Sequence, residues 1–257
     1  MSKNIALLTD FGDSDNYVGV LKGVILSINP DADIIDITHK VEPQNILQAS
    51  WILKTSYKYF PKGTIFLSVV DPGVGSNRKR LLVKTSDHYF IAPDNGLLNY
   101  IFEDIEKIIN IENSRFFLDE ISSTFHGRDI FAPVAAYLSQ NKYDLEEFGR
   151  NVDINEVQKL NIITPQKANS QIVGQIVNID HFGNIITNIP ASFLSDSTKL
   201  YLKELSINIC KNYTEAAKGE LLAITGSSGT LEISQNCGNA QNTLSLKIGD
   251  QIKIELE

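Results

Sequence analysis

The chain has 257 residues, of which 42% are hydrophobic and 21% are charged. These proportions are typical of a globular protein and exclude a disordered or fibrous chain. The 31 acidic and 23 basic side chains give a formal net charge of −8, whereas nucleic acids and anionic membranes attract basic surfaces. We therefore expect one large domain or two small ones, with no nucleic-acid or membrane partner.

We find no sequence signal for export or membrane insertion. The first four residues lead into a strand-like run without the apolar core of a signal peptide. The most apolar stretch, Val18 to Ile28, contains Lys22 and is far shorter than the roughly 20 residues of a membrane-spanning helix. The two cysteines, Cys210 and Cys237, match no zinc-binding spacing. We expect a cytoplasmic protein with reduced cysteines.

The first 165 residues alternate between strand-like and helix-like segments. The strand-like runs are short and apolar, whereas the helix-like stretches repeat apolar residues every three or four positions. The predicted strands are Ile5 to Leu8, Ala32 to Ile37, Thr64 to Val70, Leu81 to Thr85 and Tyr89 to Ala92. The predicted helices are Tyr17 to Ile28, Asn45 to Tyr59 and a third that begins between Gly127 and Ile130 and ends at Gln140. This alternation predicts an α/β layered, Rossmann-like domain.

The pattern changes after about Asn151. Residues 151–170 are polar and suggest a connector. The remaining sequence alternates short strands with Gly, Asn and Ser turns, which predicts a small β-barrel or sandwich. The predicted strands are Ile172 to Ile179, Asn184 to Ile189, Lys199 to Ile209, Leu221 to Thr225, Leu231 to Ser234 and Gln251 to Leu256. We therefore expect an N-terminal domain at 1–165 and a C-terminal domain at 166–257.

Two of the predicted strands lead into an aspartate. Asp10 follows the first strand and Asp71 follows the strand at Thr64 to Val70. Ligands collect at the carboxyl ends of strands in α/β sheets, so Asp10 is a candidate binding group. Asp71 begins the turn Asp71-Pro72-Gly73-Val74-Gly75, which could approach a ligand closely or be an ordinary turn. Asp10 could bind the two hydroxyls of a ribose or only cap a turn or helix. Arg78, seven residues after Asp71, could return to pair with it or remain solvated.

His126 lies in the densest polar cluster of the N-terminal half, residues 124–129, just before a predicted helix. Histidine is the side chain best suited to proton transfer near neutral pH. The alternative is structural: Asp129 caps the helix, Arg128 pairs with an acid, and His126 has no chemical role. The local sequence leaves both interpretations open.

Two loops of the second half are rich in hydrogen-bonding side chains. Residues 180–184 and 225–229 each connect two predicted strands. Their amides and hydroxyls suit the edge of a heterocycle or an amino-acid head group, although both loops could be ordinary hairpin turns.

The sequence does not match the common cofactor and metal motifs. It has neither the Gly-x-Gly-x-x-Gly pattern nor the Walker lysine pattern of phosphate-binding loops. Asp10, Asp13 and Asp15 are close in sequence, but no histidine accompanies them at ligand spacing. We therefore expect no cofactor and no metal.

Six motifs recur in a characteristic order and cover nearly the whole chain. They are Thr9-Asp10-Phe11-Gly12, Asp36-Ile37-Thr38-His39, Asp71-Pro72-Gly73-Val74-Gly75, Pro93-Asp94-Asn95-Gly96, Phe125-His126-Gly127-Arg128-Asp129 and Asp180-His181-Phe182-Gly183-Asn184. This set resembles the SAM hydroxide adenosyltransferases, the adenosine-forming S-adenosyl-L-methionine (SAM) hydrolases, which are relatives of fluorinase and chlorinase. The resemblance implies an N-terminal α/β domain, a C-terminal β-barrel and a homotrimer whose site lies between subunits.

The resemblance also assigns roles to individual residues. It implies a catalytic set of Asp71, Arg78 and His126. It implies that substrate is bound by Asp10 at the ribose, by Phe125, by Asp180 and Ser227 at the methionine end, and by Asn184 and the Ser228 region near the adenine.

Halogenating relatives differ from this chain at several of the matching positions. They carry tyrosine at the positions that match Asp71 and His126 and tryptophan at the position that matches Gln44. The fluorinase also has a serine at the position that matches Gly127. These departures favour a hydrolase.

The implied reaction is attack of water or hydroxide on the ribose 5′ carbon, which releases adenosine and L-methionine. His126 or Asp71 would accept the proton of the water, and spacing alone does not choose between them. The alternatives are a non-catalytic adenosine- or SAM-binding protein and a halide-using SAM adenosyltransferase.

Overall fold

The computed structural model describes residues 4–102, 104–194 and 198–257. The chain divides into two compact units, Met1–Leu160 and Asn161–Glu257. The predicted N-terminal domain begins with residues 1–3, which lie outside the described residues. The domain bounds of 1–165 and 166–257 stay a prediction.

The first unit is built on a seven-stranded sheet in the order β2-β1-β3-β5-β4-β6-β7. The pairs β2–β1, β1–β3 and β3–β5 are parallel, whereas β5–β4, β4–β6 and β6–β7 are antiparallel. The strands are β1 (Ile5–Thr9), β2 (Ile34–Thr38), β3 (Ile65–Val69), β4 (Arg80–Thr85), β5 (Tyr89–Pro93), β6 (Ile105–Ile111) and β7 (Gly149–Asn151). Strands β6 and β7 were not among the predicted elements.

Among the described residues of this unit, three α-helices accompany the sheet, and their positions agree with the sequence pattern. They are α1 (Tyr17–Ile28), α2 (Ile46–Ser56) and α3 (Ala132–Ser139). A π-helical turn, Gly127–Phe131, leads directly into α3. None of the helices in the described parts of the chain is long and apolar enough to cross a membrane.

Both faces of the sheet are buried, which explains its apolar central strands. In β1, Ile5 and Leu7 point into the core that also holds α1 and α3, whereas Ala6 and Leu8 point into the core beneath α2. Alternation with a period of two along a strand places these side chains on opposite faces. The predicted α/β layered domain is confirmed.

The second unit is a closed barrel of seven strands. The strands β9, β10, β14, β13, β12, β11 and β15 pair in a ring, and β8 adds to β9 on its outside. Their bounds are β8 (Gln166–Ala168), β9 (Gln171–Ile179), β10 (Ile185–Pro190), β11 (Lys199–Leu202), β12 (Leu205–Ile209), β13 (Leu221–Thr225), β14 (Thr230–Gln235) and β15 (Gln251–Leu256), with a short helix α4 (Ala240–Leu244). The predicted β-barrel is confirmed.

One predicted strand of the barrel was wrong in its extent. The run from Lys199 to Ile209 forms a hairpin of two strands rather than a single strand. Lys203 adopts a φ of 57°, a left-handed conformation that reverses the chain and that the apolar pattern does not reveal.

Candidate active site

Asp10 and Asp71 lie at the same edge of the first unit's sheet. Strands β1 and β3 are parallel neighbours, with Thr9 opposite Val69. Asp10 directly follows the end of β1, and Asp71 follows β3 by two residues. This edge is where α/β sheets place their ligands.

A cavity of about 270 Å³ opens at this edge. It brings together four residues predicted from the sequence: Asp10, Asp71, Phe125 and His126. The remaining lining residues are Phe11, Gln44, Val69, Pro72, Val74, Thr124 and Gly127. None of these seven residues was predicted to bind substrate. Phe11 and Thr124 adjoin predicted site residues, and Gln44 and Gly127 are positions at which the chain departs from the halogenases.

Arg78 returns to Asp71, as one interpretation of the sequence proposed. Its Nε donates to Oδ1 of Asp71 over 2.7 Å, and its Nη2 donates to Oδ2. Both side chains are only 6% exposed. A two-point pair of this kind fixes the orientation of both groups.

The turn between these two residues depends on Gly75. Its φ is 81°, and a Cβ at this position would collide with the carbonyl oxygen of Ser123. Only glycine combines a left-handed conformation with so close a backbone approach. The turn thus directs Arg78 back to Asp71 and holds the segment that precedes His126.

His126 lies against the pair formed by Arg78 and Asp71. Its Nδ1 is 3.4 Å from Nη2 of Arg78, and the residue is 8% exposed. Burial and the nearby guanidinium groups of Arg78 and Arg80 lower the pKa of His126. The imidazole is therefore uncharged at neutral pH and able to accept a proton.

The backbone around His126 is held by Asp129. This fully buried carboxylate accepts from Nε of Arg128 over 2.6 Å and from the backbone N–H of Ser122 over 2.8 Å. Arg128 thus pairs with an acid, as the structural interpretation predicted, but the predicted helix cap by Asp129 was wrong: the helical segments that start at Gly127 and Ala132 have no side-chain cap. His126 contacts the Arg78 pair. The π-helical turn starts at Gly127, and such turns occur frequently at functional sites.

Asp10 is held from the next loop of the same unit. Its Oδ2 accepts from the backbone N–H of Gln44 over 2.8 Å. Gln44 has a φ of 67°, an uncommon conformation for a residue other than glycine. Oδ1 of Asp10 therefore remains a candidate acceptor for a ligand hydroxyl.

The other acids near Asp10 do not form a metal cluster with it. Asp13 pairs instead with Lys40 over 2.7 Å. Within residues 4–102, 104–194 and 198–257, no group of three or more His, Cys, Asp or Glu side chains is arranged to hold a metal ion.

The motif at residues 36–39 supports the sheet edge rather than lining the cavity. His39 shares a hydrogen bond of 2.8 Å between its Nδ1 and Oγ1 of Thr9. Asp36 pairs with Lys22 of α1 over 2.6 Å. The two interactions connect the ends of β1 and β2 to each other and to α1, next to Asp10.

The predicted C-terminal site residues all belong to the second unit. Asp180 and Asn184 are brought together in one loop, where Oδ1 and Oδ2 of Asp180 accept from the backbone and side-chain nitrogens of Asn184 over 2.9 and 2.8 Å. Ser227 and Ser228 lie in the loop that joins β13 to β14.

These two loops adjoin opposite ends of the antiparallel pair β10–β14. Ile185 pairs with Ile233 at one end, and Pro190 pairs with Thr230 at the other. Glu232 lies on the strand between the two loops, and its Oε1 accepts from the hydroxyl of Tyr213 over 2.7 Å. This carboxylate was not predicted, because a single acid within a short strand has no distinctive sequence pattern.

Comparison with known proteins gives a consistent result. The SAM hydroxide adenosyltransferase N-terminal domain matches residues 5–149, and the corresponding C-terminal domain matches residues 174–253. A protein of Methanocaldococcus jannaschii named (R)-S-adenosyl-L-methionine hydrolase is 38% identical, with 97% of this chain and 95% of that protein covered. A fluorinase of Nocardia brasiliensis is 24% identical, over 98% and 96% of the two chains.

A solved structure supports the same relationship. An uncharacterized conserved protein from Thermotoga maritima is 42% identical and superposes with a TM-score of 0.90, covering 97% of this chain and 99% of that one. The matched domains together span both structural units. The chain therefore belongs to the SAM hydroxide adenosyltransferase family.

Proposed function

We propose that this protein hydrolyses SAM to adenosine and L-methionine. The observation that carries the proposal is the buried cluster of Asp71, Arg78 and His126, of which Asp71 and His126 line the cavity and Arg78 lies behind them, in a chain that is 38% identical to a named SAM hydrolase. The name of that relative specifies the (R) form, so we propose the (R)-sulfonium epimer of SAM as the substrate.

The reaction requires one bond to form and one to break. The oxygen of water forms a bond to the ribose 5′ carbon while the bond from that carbon to sulfur breaks, and the electron pair remains on sulfur. Methionine leaves as a neutral thioether, so the leaving group needs no proton. The proton of the water must be removed, and an enclosed site favours hydroxide attack on a sulfonium because charge is neutralised along the path.

We assign the proton acceptor to His126 rather than Asp71. Both carboxylate oxygens of Asp71 accept closely from Arg78. His126 makes a single long contact with Arg78, 3.4 Å at its Nδ1, and burial and neighbouring cations favour its uncharged form by lowering its pKa. An imidazolium beside Arg78 is unfavourable, so the proton passes on to solvent. Arg78 stabilises the developing hydroxide, and its buried Nη1 has no partner among the described residues.

The substrate-binding roles follow the family resemblance. Asp10 would accept hydrogen bonds from the ribose hydroxyls, and Phe125 would cover the reacting part of the substrate. Asp180 and Ser227 would bind the methionine end, with Asn184 and Ser228 near the adenine. Support comes from the cavity around Asp10 and Phe125 and from the polar loops of the barrel.

We further propose a homotrimer in which the N-terminal unit of one subunit and the C-terminal unit of the next share a substrate. The division of the proposed site residues between two units supports this arrangement. The molecular mass in solution, measured by light scattering, tests it: a monomeric enzyme with full activity would overturn it.

We propose a cytoplasmic location and a small-molecule rather than a nucleic-acid partner. Both cysteines are free, as suits a reducing compartment, and the net charge of −8 disfavours phosphate backbones. Cell fractionation and a binding assay with duplex DNA and RNA test the two proposals.

The experiment for the main proposal is chromatography of each SAM epimer incubated with the protein, with EDTA present and halide absent. We expect adenosine and methionine in equal amounts from the (R) epimer. Retention of ligand without turnover would support the binding-protein alternative, and a 5′-haloadenosine formed only with added halide would support the halogenase alternative. Lys58→Gln, an exposed change in a different cavity, is a matched control and should retain full activity.

A further inference from the structure

Glu232 is an almost fully buried acid that has no cation as a partner. The residue is 7% exposed, and none of the ion pairs found among the residues that the structure describes includes it. Its hydrogen bonds come from two uncharged donors, the hydroxyls of Tyr213 over 2.7 Å and of Ser234 over 2.8 Å. Buried charges in proteins are normally paired, because an unpaired charge is costly to remove from water. A cationic partner is therefore expected for this carboxylate.

The carboxylate lies on the outer face of the barrel, beneath a loop. The two neighbours of Glu232 on β14, Leu231 and Ile233, belong to the core of the barrel. Since side chains alternate along a strand, Glu232 points to the opposite face. The connection from β12 to β13 covers that face, because its Ala216 packs against β13 and its Tyr213 donates to Glu232. The carboxylate is thus buried outside the barrel core, beneath a surface connection.

One oxygen of this carboxylate remains open. Both hydrogen bonds of Glu232 go to Oε1, and Oε2 accepts none from the described part of the chain. Oε2 is not among the buried polar atoms that lack a partner, so it reaches solvent. It lies beside the loop that joins β13 to β14, since a Cβ built on Gly226 would be 2.8 Å from it. The next residue is Ser227, which the family resemblance assigns to the methionine end of the substrate.

Tyr213 holds the carboxylate in this orientation. Burial, the hydrogen-bonded carboxylate of Glu232 and the charge of Asp180 raise the pKa of Tyr213 to about 12. The phenol therefore stays protonated at neutral pH and donates to Oε1 of Glu232. Together with Ser234, it occupies Oε1 and leaves Oε2 for a ligand.

Asp180, which the resemblance also assigns to the methionine end, is more fully engaged. Its Oδ1 accepts from the backbone N–H groups of Phe182 and Asn184 over 2.9 Å each, and its Oδ2 accepts from the side-chain nitrogen of Asn184 over 2.8 Å. Both of its oxygens thus serve its own loop. Of the two acids, Glu232 is the one with an oxygen that has no donor.

We propose that Oε2 of Glu232 binds the α-ammonium group of the methionine part of the substrate. The proposal rests on the proposed function for the identity of the ligand. An ammonium fits this position because it supplies a positive charge together with three N–H donors. The sulfonium of SAM carries no N–H, and the amino group of adenine is uncharged. Neither of them would both neutralise the carboxylate and donate to it.

The test is a calorimetric titration of the full chain with two ligands. S-adenosyl-L-homocysteine carries the ammonium but no sulfonium, and its deaminated analogue lacks only the ammonium. Glu232→Gln removes the charge and keeps an acceptor oxygen for both hydroxyls, so it should unfold at the temperature of the parent or above it. Tyr213→Phe keeps every charge but removes one donor from Oε1. Glu204→Gln, a change of an exposed acid between β11 and β12, is the matched control.

Glu232→Gln should bind S-adenosyl-L-homocysteine roughly 10- to 100-fold more weakly than the parent, as expected for a lost hydrogen bond between charged groups. It should bind the deaminated analogue at least as well as the parent does. Tyr213→Phe should weaken only the ligand with the ammonium, by roughly 3- to 10-fold, and Glu204→Gln should change neither. Equal weakening of both ligands in either variant, unchanged binding in Glu232→Gln, or no binding of S-adenosyl-L-homocysteine by the parent would overturn the proposal.

This design separates the inference from the proposed function. A loss of binding that depends on the ammonium, in a protein that does not turn over SAM, would contradict the hydrolase proposal and support the role of Glu232. Turnover of SAM combined with unchanged binding in Glu232→Gln would do the reverse. In the hydrolase, Glu232→Gln should raise KM for SAM with little change in kcat, because the ammonium contact is the same before and during the chemical step.

Discussion

The guanidinium of Arg78 binds both carboxylate oxygens of Asp71, seven residues earlier in the chain. The pair is almost fully buried, and the same guanidinium approaches His126. Because one side chain contacts both of the others, a change at Arg78 should disturb proton transfer and stability together.

Replacing Arg78 with Ala should leave the carboxylate of Asp71 buried and unpaired. We expect the free energy of unfolding to fall by about 3–5 kcal/mol and kcat to fall by at least about 100-fold, as for other lost electrostatic stabilisers of a transition state. Arg78→Lys should recover little activity, because an ammonium cannot reproduce the two-point contact. Denaturant unfolding and initial rates measure the two effects, and near-parent activity in Arg78→Lys would be inconsistent with the proposed geometry.

The lowered pKa of His126 predicts a specific pH profile. Burial and nearby guanidinium groups hold its pKa below the ordinary value of 6.5. The uncharged imidazole is the active form, so kcat/KM should be constant at neutral pH and fall only as the pH drops through this lowered pKa. His126→Asn should lose most activity and the acid limb with it. A limb centred above 6.5, or one that persists in His126→Asn, would remove His126 from this role.

Gly75→Ala should be far more harmful than an ordinary glycine replacement. Alanine would have to adopt a φ of 81°, and its methyl group would collide with the carbonyl oxygen of Ser123. Both the free energy of unfolding and the activity should therefore fall. Gly63→Ala is the matched control, since Gly63 has a φ of 86° and open space around it. The control should lose about 1 kcal/mol of unfolding free energy and keep its activity. Equal losses in the two variants would show that the Ser123 contact is unimportant.

Asp10 should act on binding rather than on the chemical step. Asp10→Ala should raise KM with a smaller effect on kcat, by an amount equivalent to about 1.5–3 kcal/mol, as expected for a hydrogen bond to a charged acceptor. With the parent enzyme, removal of the 2′-hydroxyl from the substrate should weaken binding by a similar free energy. With Asp10→Ala, the same removal should weaken binding little further. Fully additive losses in this double comparison would show that Asp10 does not contact that hydroxyl.

Much of the fold was predictable because local patterns determine it. The helix at Tyr17–Ile28 has the predicted bounds, since an apolar repeat ends there at Asn29-Pro30. Closure of the barrel was harder to predict, because it depends on the pairing of β9 with β15 and of β10 with β14, which are distant in sequence. The residues alone allowed a sandwich, and only the resemblance favoured the barrel.

In the candidate site too, features set by the local sequence could be predicted and features set by distant contacts could not. Asp10 could be predicted from its position after a strand. A functional role of the turn at Asp71, and the return of Arg78 to it, were each one of two open interpretations. The environment of Arg80 could not be predicted, because a basic residue at the start of a strand usually points to solvent. Its guanidinium lies 5.9 Å from the ring centre of Phe117, which is 37 residues away in the chain.

The central claim is that water attacks the ribose 5′ carbon and breaks its bond to sulfur. The most direct test is a single-turnover reaction of SAM in water enriched in oxygen-18, followed by mass spectrometry of both products. The account predicts one heavy oxygen in the 5′-hydroxyl of adenosine and none introduced into methionine by the reaction. Unlabelled adenosine, or a product that keeps the bond between the 5′ carbon and sulfur, would contradict it.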